Sequence, residues 1–381
     1  MRTDEPELVD HHCHGIRRGE IDARAVGSLL TESDSSPPPG TSFFDSQLGF
    51  AVRRWCAPVL GLPERAGEAE YLERRRELGS AEAGRALLAA AGLAVLCVDD
   101  GFPAAELLTV AEMADLSGRP ARRVVRLEAV AEAVAASGGP AAGFAEAFAR
   151  RLAHECSSPE VVGLKSVIGY RLGLDFEACP PELSAVVTAA GEWLRASAGK
   201  AGAAPLRSEV LLRHVLYTGA RHGAENALPL QFHTGLGDTS LHLRRVDPLH
   251  LTAFLRQVQQ QGTQVVLLHG YPYHRHAAYL AHVFPHAWVD VGLSLNYVGA
   301  SAQRVLSEVL ELAPFGKVLF STDAYGLPEL YHLGAVLFRR AMAGLGEEAV
   351  RAGDWSAGDA ERVAHLVAGG NARRLYPRLG C

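Results

Sequence analysis

The six cysteines, at positions 13, 56, 97, 156, 179 and 381, contain no Cys-x-x-Cys pair. That spacing argues against both a disulfide framework and a cysteine-rich zinc site, so any metal centre must be assembled from His, Asp, Glu or Lys. Long apolar runs are also missing: no stretch reaches the roughly 18 uncharged residues that a membrane-spanning helix needs. The opening Met1-Arg2-Thr3-Asp4-Glu5-Pro6-Glu7 lacks the apolar segment of a secretory signal. These absences predict a soluble, cytoplasmic protein without membrane contact. An excess of positive charge is absent too, since the net charge is −6 and the pI about 6.2, which leaves no footing for a nucleic-acid partner. Arg74-Arg75-Arg76 and Arg122-Arg123 are short, interleaved with acids, and read as solvated helix faces or ends. Neither GxGxxG nor GxxxxGK[ST] follows any apolar run, which disfavours a doubly wound nucleotide-binding sheet.

What the chain does have is 48% hydrophobic residues, enough to bury one large core over residues 1–381. Short β-like runs recur: Leu8 to His14, Leu93 to Asp100, Arg123 to Glu128 and Val161 to Lys165. Leu228 to His233, Gln264 to His269, Ala287 to Leu293 and Val318 to Asp323 continue the series. Segments of helical periodicity lie between them, among them Ala104 to Leu116, Ala141 to His154, Pro248 to Gln261 and Ser301 to Leu312. Strands alternating with helices pair in parallel through right-handed crossovers, so eight such units predict a (β/α)8 barrel. Residues 16–78 exceed one βα unit and read as a mainly helical insertion after the first strand, helical from about Phe43 and placed above the barrel mouth. Phe43, Phe44 and Trp55 read as the core of that insertion. Glu182 to Arg221 is long enough for two helices.

A barrel gathers its chemistry at the C-terminal ends of its strands. Those ends carry His12, His14, Asp99, Asp100, Glu128, Lys165, His233, His269, Asn296 and Asp323. In Leu8-Val9-Asp10-His11-His12-Cys13-His14, side chains two apart share a strand face, so His12 and His14 can bind one ion together. His11 and Cys13 fall on the opposite face and read as structural. Gln231, two before His233, points to the barrel interior as a supporting group. His274, His276, His282 and His286 follow the sixth strand on what reads as a solvated helix.

The chain resembles the amidohydrolase superfamily, and more narrowly the amidohydrolase-like domain that precedes glutamine synthetase in fungal and nodulin-type fusion proteins. Three stretches carry the likeness: Gly163-Leu164-Lys165-Ser166-Val167-Ile168-Gly169-Tyr170-Arg171, Leu230-Gln231-Phe232-His233-Thr234-Gly235-Leu236-Gly237-Asp238 and Phe320-Ser321-Thr322-Asp323-Ala324-Tyr325. Gly370-Asn371-Ala372-Arg373-Arg374-Leu375-Tyr376 resembles the family's terminal helix.

The resemblance implies one divalent ion on His12, His14, His233 and Asp323, with zinc expected and manganese or iron(II) as alternatives. It implies that the ion activates a water and that Asp323 takes the proton and returns it to a leaving amine. His269 is then a second-site ligand or a donor to the developing oxyanion. Lys165 has three readings: a carboxylated bridge between two ions, with His233 and His269 on the second, a cation facing substrate, or a rim partner of Asp99 or Glu128. Arg126, Glu128, Tyr170 and Arg171 are candidate substrate contacts, the arginines alternatively forming ion pairs within the rim. Asp238, Asn296 and Tyr325 extend that set. The implied activity is hydrolysis of a C–N bond in a small molecule, such as a γ-glutamyl amide. A metal-dependent decarboxylase of a small aromatic acid, a sugar-acid isomerase and an inactive structural barrel are the alternatives. A homodimer is the expected assembly.

Overall fold

Strands β1 (Leu8–Cys13), β2 (Leu93–Asp99), β3 (Ala121–Arg126), β4 (Val161–Ser166), β5 (Leu230–Thr234), β6 (Val265–His269), β7 (Ala287–Asp290) and β8 (Val318–Leu319) pair in chain order as one parallel sheet. The computed structural model describes residues 6–102, 105–197 and 203–380. Backbone hydrogen bonds carry the sheet round from β8 to β1, with Asp323 N donating to His12 O at 3.0 Å and His14 N to Ala324 O at 2.9 Å. The result is the (β/α)8 barrel that the alternating pattern predicts.

Two hydrophobic layers hold it. Leu8, Leu96, Val98 and Leu164 face the surrounding helices, while Val9, Val95, Cys97, Val124, Val162, Val266 and Leu268 fill the barrel. Ala372, Leu375, Tyr376 and Leu379 of the C-terminal segment join that inner cluster. They close the end opposite the functional rim.

Several boundaries differ from the sequence reading. The helix expected from Ala104 begins at Val110, because Thr109 and Glu112 form a reciprocal cap there; Ala104 itself lies outside the described residues. Strand β3 stops at Arg126, which leaves Glu128 in the first turn of the helix Leu127–Ala136. Strand β7 stops at Asp290, and Leu293 has a left-handed backbone (φ 51°) that no strand continues through. The stretch from Glu182 holds two helices, Leu183–Ser197 and Glu209–Asn226.

The excursion after β1 divides into two parts. Its first part holds one short helix, Ala23–Ser28, and then crosses the barrel mouth: Tyr297 donates to Glu32 at 2.9 Å, and Thr239 donates to Asp34 at 2.7 Å. Its second, mainly helical part begins at Gln47 rather than near Phe43 and lies along the barrel's flank, against the helix Pro328–Ala352. Arg75 and Glu329 form a buried ion pair at 2.6 Å across that contact. The helix Glu68–Ala91 breaks at Gly79 (φ 75°), where Glu20 accepts from the Ser80 N–H and hydroxyl. Phe44 is buried as expected; Trp55 is only half-buried. No helix among the described residues is long and apolar enough to cross a membrane.

Candidate metal centre

The centre starts from an irregularity in β1. Asp10 pairs with Leu96 but Cys13 with Val98, so β1 has one residue more than β2 between these pairs. This bulge puts His11 on the inner side together with His12 and His14, against the simple alternation that would send it outward. Cys13 does point to the outer core. His11 Nδ1 lies 3.0 Å from the Tyr376 hydroxyl and its Nε2 lies 3.1 Å from Asp290 Oδ2. The His11 ring is therefore held below the rim, while His12 and His14 are free to face the mouth.

Around them, His12 Nε2 approaches Asp323 Oδ1 to 3.1 Å, His14 Nε2 the same oxygen to 3.3 Å, and His269 Nε2 approaches Asp323 Oδ2 to 3.2 Å. Asp323 Oδ1, both nitrogens of His269 and Nε2 of His233 are buried without a hydrogen-bond partner among the described residues. Buried polar atoms are ordinarily satisfied, so lone pairs converging without hydrogen-bond geometry are the arrangement a cation completes. The donor set, several imidazoles and one carboxylate, suits a divalent metal ion. Ligand atoms of His12, His269 and Asp323 lie within 4.8 Å of one another, as do those of His12, His14 and Asp99. Asp99 is the weaker candidate, because Arg126 holds its Oδ2 (2.7 Å) and Gly101 N its Oδ1 (3.0 Å).

The backbone pays attention to the same residues: His269 (φ 68°) and Asp323 (φ 47°) are both left-handed without being glycine. Such conformations cost about 1–3 kcal/mol each and persist where the surroundings impose them. Asp290 imposes the first, accepting from His269 N at 2.5 Å and from Ser321 Oγ at 2.6 Å. Burial keeps the imidazoles of His12, His233 and His269 neutral. Burial, then Lys165, pushes His12 down to about 3, and burial with His269 drives His233 well below the usual histidine range. Burial alone would raise Asp323, but His269, His12 and His14 outweigh it and hold the carboxyl ionised.

Lys165 Nζ lies 3.0 Å from His12 Nε2, and burial lowers its pKa to about 8. It pairs with neither Asp99 nor Glu128. Arg126 takes the first, and the second accepts from Ser166 Oγ (2.7 Å) and Val167 N (3.1 Å). Glu128 thus braces the end of β4 from beneath. Arg171 pairs with Glu132 at 3.1 Å, and Asn296 donates to the carbonyls of Thr322 and Leu330 at 3.3 Å. For Arg126 and Arg171 the structure shows the ion-pair alternative. Tyr170 packs on His233 with ring centres 4.5 Å apart, and Tyr325 stands 6.0 Å from His14. His233 packs on His269 at 5.0 Å.

Some residues escaped the sequence reading. Glu32 reaches the mouth from the excursion after β1 and Tyr297 from the short helix Ser294–Val298, and no motif marks either. Phe102 lies between His14 (5.1 Å) and the guanidinium of Arg126 (4.4 Å). Asp290 does carry a signal, as the carboxylate that closes the short apolar run Ala287–Val289, but the apolar residues continuing to Leu293 conceal that end. Of the histidines after β6, His274 and His286 are buried rather than solvated, and His274 Nε2 lies 2.6 Å from Glu308; His282 is exposed.

The parallel eight-stranded barrel thus carries its candidate ligands at the C-terminal ends of its strands. The Amidohydrolase family model matches residues 9–378, and the chain belongs to that family. It is 31% identical over 278 residues to protein fluG of Emericella nidulans, covering 67% of this chain and 32% of that protein. The chain thus spans about a third of that relative's length. A Lactobacillus casei protein described as a metal-dependent hydrolase superposes with a TM-score of 0.82 at 27% identity, covering 99% of this chain and 98% of that one. Uronate isomerase of Thermotoga maritima shares the fold, with a TM-score of 0.64 at 14% identity over 97% and 94% of the two chains.

Proposed function

We propose that this protein hydrolyses the C–N bond of a small amide, of the γ-glutamyl amide class, with one zinc ion on His12, His14, His233 and Asp323. The observation that carries this reading is the grouping of the His12, His14 and His269 imidazoles on the buried Asp323 carboxylate at the strand ends of an amidohydrolase barrel. An ion held there supplies Lewis acidity, polarising a carbonyl and bringing the pKa of water toward neutrality. The chain's own groups do the rest. Asp323, ionised and in contact with three imidazoles, is the acceptor for the proton of the attacking water and its donor to the leaving nitrogen. His269, 3.2 Å from the Asp323 carboxylate, shares that proton or donates to the developing oxyanion. Lys165 adds a cation at the same rim. Glu32 at the mouth offers a carboxylate for a substrate ammonium, and Lys165 offers a cation for a carboxylate; a glutamyl group carries both charges.

A second arrangement, with His269 in place of His233 as ligand, is favoured by the closer grouping of His12, His269 and Asp323. Elemental analysis of His233→Ala and His269→Ala separates the two, since the true ligand loses the ion. Amine release from a panel of γ-glutamyl amides tests the reaction. Carbon dioxide released from aromatic acids, with no amine from any amide, overturns it in favour of the decarboxylase alternative. A protein that binds no divalent ion overturns the assignment of the site.

A further inference from the structure

Between Gln47–Arg65 and the helices on the barrel's flank lies a cavity of about 630 Å3, which shares no lining residue with the metal centre. Its floor is small and apolar, formed by the buried Ala51, Ala302, Leu337 and Ala341. Its walls carry four arginines: Arg53, Arg54, Arg65 and Arg340. In a chain of net charge −6, that is a local concentration of the opposite sign. Glu64 neutralises Arg54, and Arg53 donates to the carbonyls of Ala66 (2.8 Å) and Arg65 (3.2 Å). Arg65 and Arg340 make no ion pair among the described residues.

The aromatic residue is placed among these charges. Trp55 has the Arg54 guanidinium 4.5 Å from its ring centre and that of Arg340 at 4.7 Å. A guanidinium held over a ring keeps its N–H edge available for an anion. Arg53, Arg54 and Trp55 stand on the π-helical turn Val52–Cys56, and Arg65 has a left-handed backbone (φ 63°). Both are unfavourable local choices, of the kind retained where side chains must be aimed. The volume lies in the range of small-ligand sites, and a closed apolar floor beneath a cationic wall suits a small molecule better than a flat protein surface.

We propose that this cleft binds a small organic anion, a carboxylate or phosphate ester on a flat apolar body. The charged group meets Arg65 and Arg340, and the body lies over the alanine floor beside Trp55.

Phenyl phosphate and phenylacetate are the probes, titrated into the metal-loaded protein and followed by tryptophan fluorescence and by calorimetry. Saturable binding of at least one probe is expected, with neutral benzyl alcohol and inorganic phosphate each weaker by about tenfold or more. Arg340→Gln and Arg65→Gln should each weaken the probe by about tenfold with the melting temperature unchanged. Trp55→Phe should remove the fluorescence change while the heat remains. Binding that survives in His12→Ala places the probe outside the metal centre. The proposal fails if no probe saturates or if binding ignores both arginine substitutions. It also fails if sedimentation shows a dimer that Arg340→Gln dissociates, because a second copy then fills the cleft.

Discussion

Lys165 Nζ and His12 Nε2 stand 3.0 Å apart, and an ion on His12 competes with the lysine for the same lone pair. Burial is the main reason that both groups titrate low, Lys165 at about 8 and His12 at about 3. Lys165→Met removes the competing charge and should tighten binding of a single ion by about tenfold while lowering turnover. Competition with a chelator measures the first effect. Loss of one of two ions per chain would instead mark Lys165 as a carboxylated bridge.

Asp290 orients His269 through its backbone N–H and holds His11 below it. Burial would raise the Asp290 carboxyl, but His11 and His269 outweigh it and bring it to about 2, so it is ionised at neutral pH. Asp290→Asn puts an amide against these donors. Metal affinity should fall by about 10–100-fold, as for other groups that orient ligands from behind. A fluorescent zinc indicator reads the change, and an unchanged affinity refutes the orienting role.

The buried pair Arg75–Glu329 fastens the insertion to the barrel, with Tyr71 also donating to Glu329 at 3.0 Å. Arg75→Met strands a buried carboxylate and should cost about 3–5 kcal/mol in urea denaturation. Adding Glu329→Gln to it should recover part of that loss, because the orphaned charge is then gone.

Stability should decline on acidification below pH 6.5. Burial lowers His286 and His332 from the ordinary histidine value of 6.5, so the folded protein keeps both rings neutral while the unfolded chain takes up protons. The unfolded state then binds more protons, and stability falls as pH drops through the window beneath 6.5, by at most about 1.4 kcal/mol per pH unit for each ring. His286→Phe should flatten the dependence of melting temperature on pH between these limits. An unaltered slope would exclude His286 as its source.

Periodicity and strand ends were legible in the linear chain because they are local. Alternating β and α patterns define the barrel, and His12, His14, His233, His269 and Asp323 each close an apolar run, which is where a barrel must display them. Positions set by long-range contact were not legible. The bulge that turns His11 inward depends on the register between β1 and β2, and Glu32 reaches the mouth by a loop whose course no short motif encodes. Arg126, Glu128 and Arg171 look alike as charged rim residues in the sequence. Only packing decided that Asp99, Ser166 and Glu132 would take them up. The chemistry available at the rim follows from residue type and spacing; which of those groups stay free to act is settled by the neighbours that folding brings to each one.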